Sequence, residues 1–451
     1  MICRREEGEM TNKSGYKWAV LAMLSCAFFF HQADRALFGL LTIPIQNELG
    51  LSDVQIGWIN TVLSWTLAGM AFIAGPVGDR FSRKWIITLS LISWSLMTIM
   101  MGYVGDWRIL GVFIPAYFVV MFFRSIATGV GESFYGPCYP PLLATYHKET
   151  RALALSIHQG ALYFGLMTSG VITAWALGVV SSWRHVFMLF GGAGLLLGIF
   201  FIWGLRDTSA PSPSENATRE RTPFLAGIAC FFSKPSAWLA MSGFIAIVFV
   251  NNAYLFWAPK FMAAKFTPEF EQMLGVSAST AAGMKAIVGK AGALSMLYHH
   301  LLAFLAILIG GVVTDRCVRK MPRFRLGFQI LALLAGAPCL LFMGLTPTIA
   351  SMVAMSAAYG VFRGFFEVNT HTSLFDVIPP QHRSTSVGIF TVFAFLFGGL
   401  SGVVMGALSQ KYGVSGFEIG FAVMAGAYVL GAILMSVSFF VTFRRDRIVE
   451  E

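Results

Sequence analysis

The stretch from Gly75 to Lys84 reads G-P-V-G-D-R-F-S-R-K, and it returns at Gly311 to Lys320 as G-V-V-T-D-R-C-V-R-K. Both copies fit G-x-x-x-D-R-x-x-R-K without a gap. In each, a long apolar run ends at the glycine and another begins soon after the last basic residue. Each copy therefore reads as a short charged hinge between two membrane-spanning helices. A hinge that recurs near the start of both halves predicts a duplicated helical bundle.

The composition agrees. Of 451 residues, 56% are hydrophobic and 12% charged, with a mean hydropathy of +0.70, whereas soluble domains carry about 25% charged residues. Apolar runs of about 20 residues recur, each long enough to cross a hydrocarbon core. Backbone polar groups in lipid must be satisfied within the segment, and the period-two alternation of barrel strands is missing, so the runs are read as helices. The expected fold is an all-α membrane protein with twelve transmembrane helices in two pseudo-symmetric six-helix bundles. Residues 1–17 form a cytoplasmic tail, 18–204 the first bundle, 205–236 a cytoplasmic linker, 237–442 the second bundle and 443–451 a second tail.

A net charge of +10 raises nucleic acid as a partner, but its distribution argues against one. With the amino terminus inside, most Lys and Arg fall in cytoplasmic segments. That is the positive-inside pattern, and it places both termini in the cytoplasm of a cell (inner) membrane protein. Anionic lipid headgroups are the natural partner of the basic excess, and a monomer is expected. The six cysteines show neither C-x-x-C nor His/Cys ligand spacing and read as isolated thiols, with no metal and no cofactor. The first apolar run begins near Lys17 without an A-x-A-like site, so it reads as a retained span. Met10 is an alternative start, because residues 1–9 carry nothing recognisable.

Along the chain, helix 1 is expected over residues 18–46, helix 2 over 53–77 and helix 3 over 85–104. Helix 4 starts near Ile109 and is stopped or bent by Pro137, Pro140 and Pro141. Helix 5 begins after Arg151, and helix 6 follows the turn Ser181-Ser182-Trp183-Arg184 and ends near Gly204. The polar, Pro/Ser/Thr-rich run 206–222 reads as a mobile linker. Its Asn216-Ala217-Thr218 matches a glycosylation sequon by chance, since it is on the cytoplasmic side. Helix 7 covers 238–262, and helices 9 to 12 cover 326–345, 349–372, 384–408 and 418–441. Residues 265–290 form the longest outer segment, where G-V-S at Gly275 echoes G-L-S at Gly50. Gly57 lies 18 residues before the first hinge (75 minus 57), and Gly283 lies 28 before the second (311 minus 283). The excess predicts one short helix more on the outer face of the second half.

A charge at the centre of a spanning helix costs about 2.5 to 3.5 kcal/mol on insertion scales, so it normally faces a bundle interior and marks a pathway. The charges so placed are Asp34, Arg35, Arg124, Glu132, Arg363 and Glu367, four of them in helices 1 and 4. Two cations and two anions can neutralise one another, which leaves one carboxylate able to take a proton while an arginine binds an anion. Each protonation state then favours a different set of ion pairs, as proton-coupled movement of an anion requires. On this reading Asp34 and Glu132 carry protons, and Arg35 and Arg124 hold substrate. The competing reading is a set of structural salt bridges that tie helix 1 to helix 4. His31, one turn before Asp34, either shares the proton traffic or hydrogen-bonds a neighbour. His158, Gln159, Asn251 and Asn252 either line the cavity or join helices. Tyr135, Tyr139, Tyr163 and Tyr254 lie on the same helices and are further cavity candidates. In the hinge, Asp79 can neutralise another helix's amino-terminal dipole, contributing about 0.3 to 1 kcal/mol. Arg80, Arg83 and Lys84 anchor the loop to acidic groups and lipid phosphate, and Gly75 and Gly311 allow close helix approach.

The repeated G-x-x-x-D-R-x-x-R-K in a six-plus-six chain resembles the signature loop of the Major Facilitator Superfamily, over essentially the whole chain. The resemblance implies that Asp79 latches onto helix 11 near Ser384 and helps to hold an outward-facing state. By the same analogy Asp315, with Arg316, Arg319 and Lys320, would meet the start of helix 5 near Arg151. Asp34-Arg35, the later I-P-I-Q-N-E-L-G-L-S, and G-V-G-E ending at Glu132 resemble the spinster-like branch and the anion:cation symporters. D-R-C-V-R-K-M-P-R-F-R-L leans toward bacterial spinster-like members. Those families imply a proton-titrating Asp34, a substrate-binding Arg35 and an Arg124/Glu132 pair. Two features depart from them. Seven residues separate Arg124 from Glu132 where relatives have six, which turns Glu132 by about 100° on an ideal helix; a π-bulge near Gly129 would absorb the extra residue. His31 stands where relatives often have Asn.

The expected function is secondary active transport, by proton-coupled symport of a small organic anion through alternating access. The alternatives are an exporter of amphiphiles such as a lysolipid or drug, and a ligand sensor that moves nothing. An enzyme is not expected, since the sequence holds no nucleophile triad, metal cluster or phosphate loop.

Overall fold

The computed structural model describes residues 2–206 and 224–448, with side chains from Gly15 onward except those of Asp79, Ala152 and Phe224. The centre of the expected linker, Asn216 included, and the side chain of the expected latch residue Asp79 thus lie outside the described residues.

The membrane-spanning elements are helices, arranged as two bundles of six. The first bundle holds helix 1 (Ile2–Leu40), helix 2 (Asp53–Arg80), helix 3 (Arg83–Met100), helix 5 (Arg151–Val179) and helix 6 (Trp183–Gly204). Its helix 4 is assembled from Ala116–Val120, Met121–Ala127, Thr128–Ser133 and Tyr135–Tyr146. The second bundle holds helix 7 (Pro235–Lys265), helix 8 (Ala281–Val318), helix 9 (Phe324–Leu345) and helix 10 (Ile349–Glu367, then Thr370–Phe375). Helix 11 (Arg383–Gly398, then Ser401–Tyr412) and helix 12 (Val414–Val437, continued to Asp446) complete it. Among the described residues, ten helices are long and apolar enough to cross a membrane. Helices 1 and 4 fall outside that set, and they are the two that carry Asp34, Arg35, Arg124 and Glu132.

Several expected boundaries move, each for a local reason. Helix 1 does not run to residue 46: it breaks at Leu41 and a separate short helix, Thr42–Leu49, follows. Pro44 lacks an N–H and its ring would clash with the carbonyl four residues back, which ends the longer helix. Helix 4 does not begin at Ile109, because Trp107–Ile109 and Val112–Ile114 pair as a small antiparallel hairpin. Its turn residues Leu110 and Gly111 both have positive φ (50° and 84°), the geometry of a tight primed hairpin turn. Pro115 then precedes the helix, whose Ala116 N–H donates to Asp106 Oδ1 at 2.8 Å. Pro140 and Pro141 sit inside the last segment of helix 4 without stopping it. The first charged hinge is mostly helix, since helix 2 continues to Arg80 and only Phe81 and Ser82 link it to helix 3.

The extra residues of the second half do not form an additional helix. Thr267–Leu274 matches Thr42–Leu49 in length, and the two end on Gly275 and Gly50, each at φ 64°. The excess instead lengthens helix 8, which has 38 residues against 28 in helix 2. Ser52, through a capping box with Gln55, and Thr280, by accepting from Gly283 N–H, start these two helices.

The bundles meet tightly on the face opposite the chain termini, here the far face. A Cβ on Gly57 would lie 2.5 Å from Gly402 O, and one on Gly402 2.7 Å from Gly57 O, so helices 2 and 11 touch backbone to backbone. Gly39 lies equally close to Leu255 O (2.6 Å) and Gly170 to Gly292 O (2.3 Å). Lys260 of helix 7 pairs with Asp53 of helix 2, which also accepts from Ser409 Oγ at 2.5 Å. The glycines expected to permit close approach do not: Gly75 has open space where a Cβ would be, and Gly311 has only ordinary contact with Val368 at 3.7 Å. Small residues act where the two halves cross, and those crossings are on the far face.

Candidate functional site

A cavity of about 160 Å³ lies where the bundles face one another. From the first bundle, Gln32 and Arg35 of helix 1 reach it, with Leu162 and Leu166 of helix 5. From the second come Asn251, Asn252 and Tyr254 of helix 7, His300 of helix 8, Arg363 of helix 10 and Phe395 of helix 11.

Behind Arg35 the costly charges of helices 1 and 4 come together, as expected. Asp34, Arg124 and Glu132 are buried, at 5%, 2% and 4% exposure. The π-turn that would bring Arg124 and Glu132 onto one face is present, but over Met121–Ala127, around Arg124, and not near Gly129. Thr128 Oγ1 donates to Phe123 O, five residues back, at 2.7 Å, which steadies the widened turn.

Of the salt bridges that the competing reading places between helices 1 and 4, one pair, His31 with Glu132, is at ion-pair distance among the described residues. Asp34 Oδ2 accepts from Thr98 Oγ1 at 3.0 Å, and its Oδ1 has no partner. Arg124 Nη2 donates to the backbone carbonyl of Arg35 at 2.9 Å, and its guanidinium sits 5.7 Å from the Phe38 ring centre. His31 Nε2 lies 3.3 Å from Glu132 Oε2, an ion-pair distance without hydrogen-bond alignment, so both Glu132 oxygens lack a hydrogen bond. Gln32 Nε2 contacts His31 Nδ1 at 2.9 Å, which links this pair to the cavity wall. Arg35 has the Phe395 ring centre of the opposite bundle 5.7 Å away, and its Nε is buried without a partner. Buried charges normally hold hydrogen-bonded partners, and this cluster is short of them.

The second bundle holds a different arrangement, which sequence reading counted as costly charges without giving it a role. Arg363 Nε donates to Glu367 Oε1 at 2.8 Å, and Arg363 Nη1 meets His299 Nε2 at 3.0 Å. Glu367 Oε1 also accepts from Asn251 Nδ2 at 3.1 Å, and its Oε2 accepts from Tyr163 of helix 5, a bond that crosses between the bundles. Tyr359 donates to Asn251 Oδ1 at 3.2 Å and receives Tyr428 O–H at 3.2 Å. Two separations of four, Arg363 to Glu367 and Asn251 to Leu255, place these groups on inward faces; the adjacent His299 and His300 in an apolar run were the signal available for helix 8. Nothing in the sequence pointed to Phe395.

The remaining candidates separate. Asn251 and Asn252 line the cavity and also join helices, Asn252 donating to Ser64 Oγ of helix 2 at 3.2 Å. Tyr254 lines it too, and its hydroxyl donates to Ser295 O at 2.6 Å. His158 does not: it is fully buried, stacked on Phe28 and Tyr139 at 4.5 and 4.0 Å, with its Nε2 3.0 Å from the Tyr135 hydroxyl. Helix 5 turns that face into the packing against helices 1 and 4. Gln159, the next residue, is exposed and outside the cavity lining. On the terminal face, Asp315 is exposed and makes no hydrogen bond or ion pair among the described residues, and Arg80, Arg151, Arg316, Arg319 and Lys320 are exposed. The contact of Asp315 with the start of helix 5 is therefore not made in this conformation.

Against known proteins, the profile of the Major Facilitator Superfamily matches residues 23–298 and 288–450. The chain is 22% identical to a probable galactarate/D-glucarate transporter of Bacillus subtilis (strain 168) over 94% of its own length and 91% of the relative. It is 25% identical to a probable galactarate/D-glucarate transporter of Escherichia coli (strain K12), over about half of each chain (48% and 46%). With the Drosophila melanogaster protein spinster it shares 22% identity over 87% of its length and 62% of that protein. Among solved structures it superposes on a bacterial homologue of the human lysosomal transporter spinster, in an inward-facing and unoccupied conformation. The TM-score is 0.71 at 20% identity, covering 97% of this chain and 99% of that one.

Proposed function

Since the chain belongs to the Major Facilitator Superfamily, it is a multi-pass membrane transporter for a small molecule and not an enzyme, and we propose that it carries a small organic anion together with protons. The observation that carries this reading is Arg35, a guanidinium on the central cavity with a buried, unpartnered Nε, set beside Asp34 and the His31–Glu132 pair. With both carboxylates ionised, Arg35 and Arg124 are formally balanced. A proton on Asp34 leaves the cluster one positive charge in excess, which favours an incoming carboxylate on Arg35. Release of either ligand weakens the hold on the other, which is the linkage symport needs. Arg124 holds the Arg35 backbone and so positions the first arginine. The closed far face supports a state that loads from, or empties to, the side of the termini, which the basic tails and hinges assign to the cytoplasm. At the charged ends of helices 2 and 8, Asp315 is exposed and would take up its latch contact in the opposite state, and lipid phosphate is the natural ligand of the Arg and Lys there. The protein acts as a monomer in the inner membrane.

The test is uptake and counterflow in proteoliposomes, with galactarate and D-glucarate, the anions named for two of the relatives, as first solutes. Asp34→Asn should lose accumulation driven by a pH gradient and keep counterflow. Gradient-driven accumulation that survives the substitution would sink the coupling assignment.

A second reading, transport of an amphiphile, is favoured by an apolar groove of about 270 Å³ between helices 2, 3 and 4, with Val77, Leu89 and Phe134 in its walls. Thermal stabilisation by a lysolipid but by no sugar acid would select it.

A further inference from the structure

Arg363 stands across the same cavity from Arg35, on the other bundle. Its Nε and Nη1 are held by Glu367 and His299, at 2.8 and 3.0 Å, which fixes the plane of the guanidinium. Its Nη2 makes no hydrogen bond among the described residues, and the side chain lines the cavity. Glu367 is itself held by Asn251 and Tyr163, so the support behind Arg363 is rigid and reaches into both bundles. The amides of Gln32, Asn251 and Asn252, which can donate and accept, line the same cavity, as does Phe395.

Resting on the reading that Arg35 holds a carboxylate, we infer that Arg363 is the second bundle's half of the substrate site and reads a second acidic end. The substrate class is then a compact polyhydroxylated dicarboxylic acid, not an anion with an apolar tail. Each arginine donates from one bundle to one end of the solute, and the amides meet the hydroxyl groups between. An anion held at both ends draws the bundles together around it, and one held at a single end cannot. Arg363 is thus a specificity-determining residue, whereas Glu367 and His299 position it.

D-gluconate and D-glucarate isolate the far end, because they differ only in whether the last carbon is a hydroxymethyl group or a second carboxylate. Binding of both to the purified full chain is measured by ligand-induced thermal stabilisation. The unaltered protein should prefer D-glucarate by tenfold or more. Removing Arg363 alone leaves Glu367 buried without its counter-ion, so the informative variant is Arg363→Gln combined with Glu367→Gln, which keeps a neutral hydrogen-bonding pair. In it the preference should fall to about onefold while D-gluconate binds within about threefold of its original affinity. An unchanged preference, equal binding of both acids by the unaltered protein, or binding of neither would overturn the inference. Proton coupling is tested apart: if Asp34→Asn still accumulates solute while the preference for D-glucarate depends on Arg363, the coupling reading fails and this one stands.

Discussion

The two bundles treat their buried charges in opposite ways. In the first, Asp34 Oδ1, Arg35 Nε, Arg124 Nε and both Glu132 oxygens lack hydrogen-bond partners. In the second, both oxygens of Glu367 and both nitrogens of His299 are engaged, and a chain of hydroxyl groups runs on through Tyr359 to Tyr428. A satisfied network braces a fold, because removing one member strands the others. A sparsely bonded one tolerates the arrival and departure of a charge, since fewer existing bonds must first be broken. The difference separates a braced arginine from an unbraced one on the two walls of a single cavity, even though both clusters are built from Arg and carboxylate on spanning helices.

Substitution can break this contrast. Glu367→Gln should have the largest effect on the fold: it leaves Arg363 buried and unbalanced, at a cost of about 3 to 5 kcal/mol, read as a fall in thermal unfolding temperature in detergent. Asp34→Asn should cost less than about 1 kcal/mol by the same assay, since the one hydrogen bond Asp34 makes, accepted from Thr98, can still be accepted by the amide oxygen, yet lower gradient-driven accumulation by tenfold or more. Equal losses of stability from the two would erase the distinction. Gly57→Ala comes next. A methyl group 2.5 Å from Gly402 O cannot be accommodated without parting helices 2 and 11. A cysteine at Ser64, in a background without the native cysteines, should then react several-fold faster with an impermeant maleimide from the far side. Asp53→Asn removes the partner of Lys260 on that face and should raise the same rate by a smaller factor, near twofold. The smallest effect belongs to Glu48→Gln. Its pair with Arg184 at 2.7 Å is half exposed on the Glu48 side, so the change should cost less than about 1 kcal/mol and leave transport alone.

Reading the chain alone reached the membrane class, the doubling, the six charges and the need for a π-turn between Arg124 and Glu132. Each of these is local: a charge in an apolar run, a repeated hinge, or one residue too many in a helix can be recognised without knowing what lies opposite. The same logic failed wherever the partner belonged to another helix. Gly75 was read as a contact point and has open space, whereas Gly57, Gly39 and Gly170 close the far face. His158 was read as either a wall of the cavity or a link between helices and is the latter, bonded to Tyr135 and sealed against Phe28 and Tyr139, while His300 and Phe395 went unnoticed and line the cavity.

What the sequence by itself determined, then, is that a handful of ionised side chains must be sheltered within twin six-helix bundles, because the cost of a charge in lipid depends only on where it falls along its own span. What only the tertiary structure decided is which of them share a cavity and which hold one another. That depends on the rotation of each helix and on the neighbour it crosses, and a rotation of one residue, about 100°, carries a side chain from the cavity into the packing.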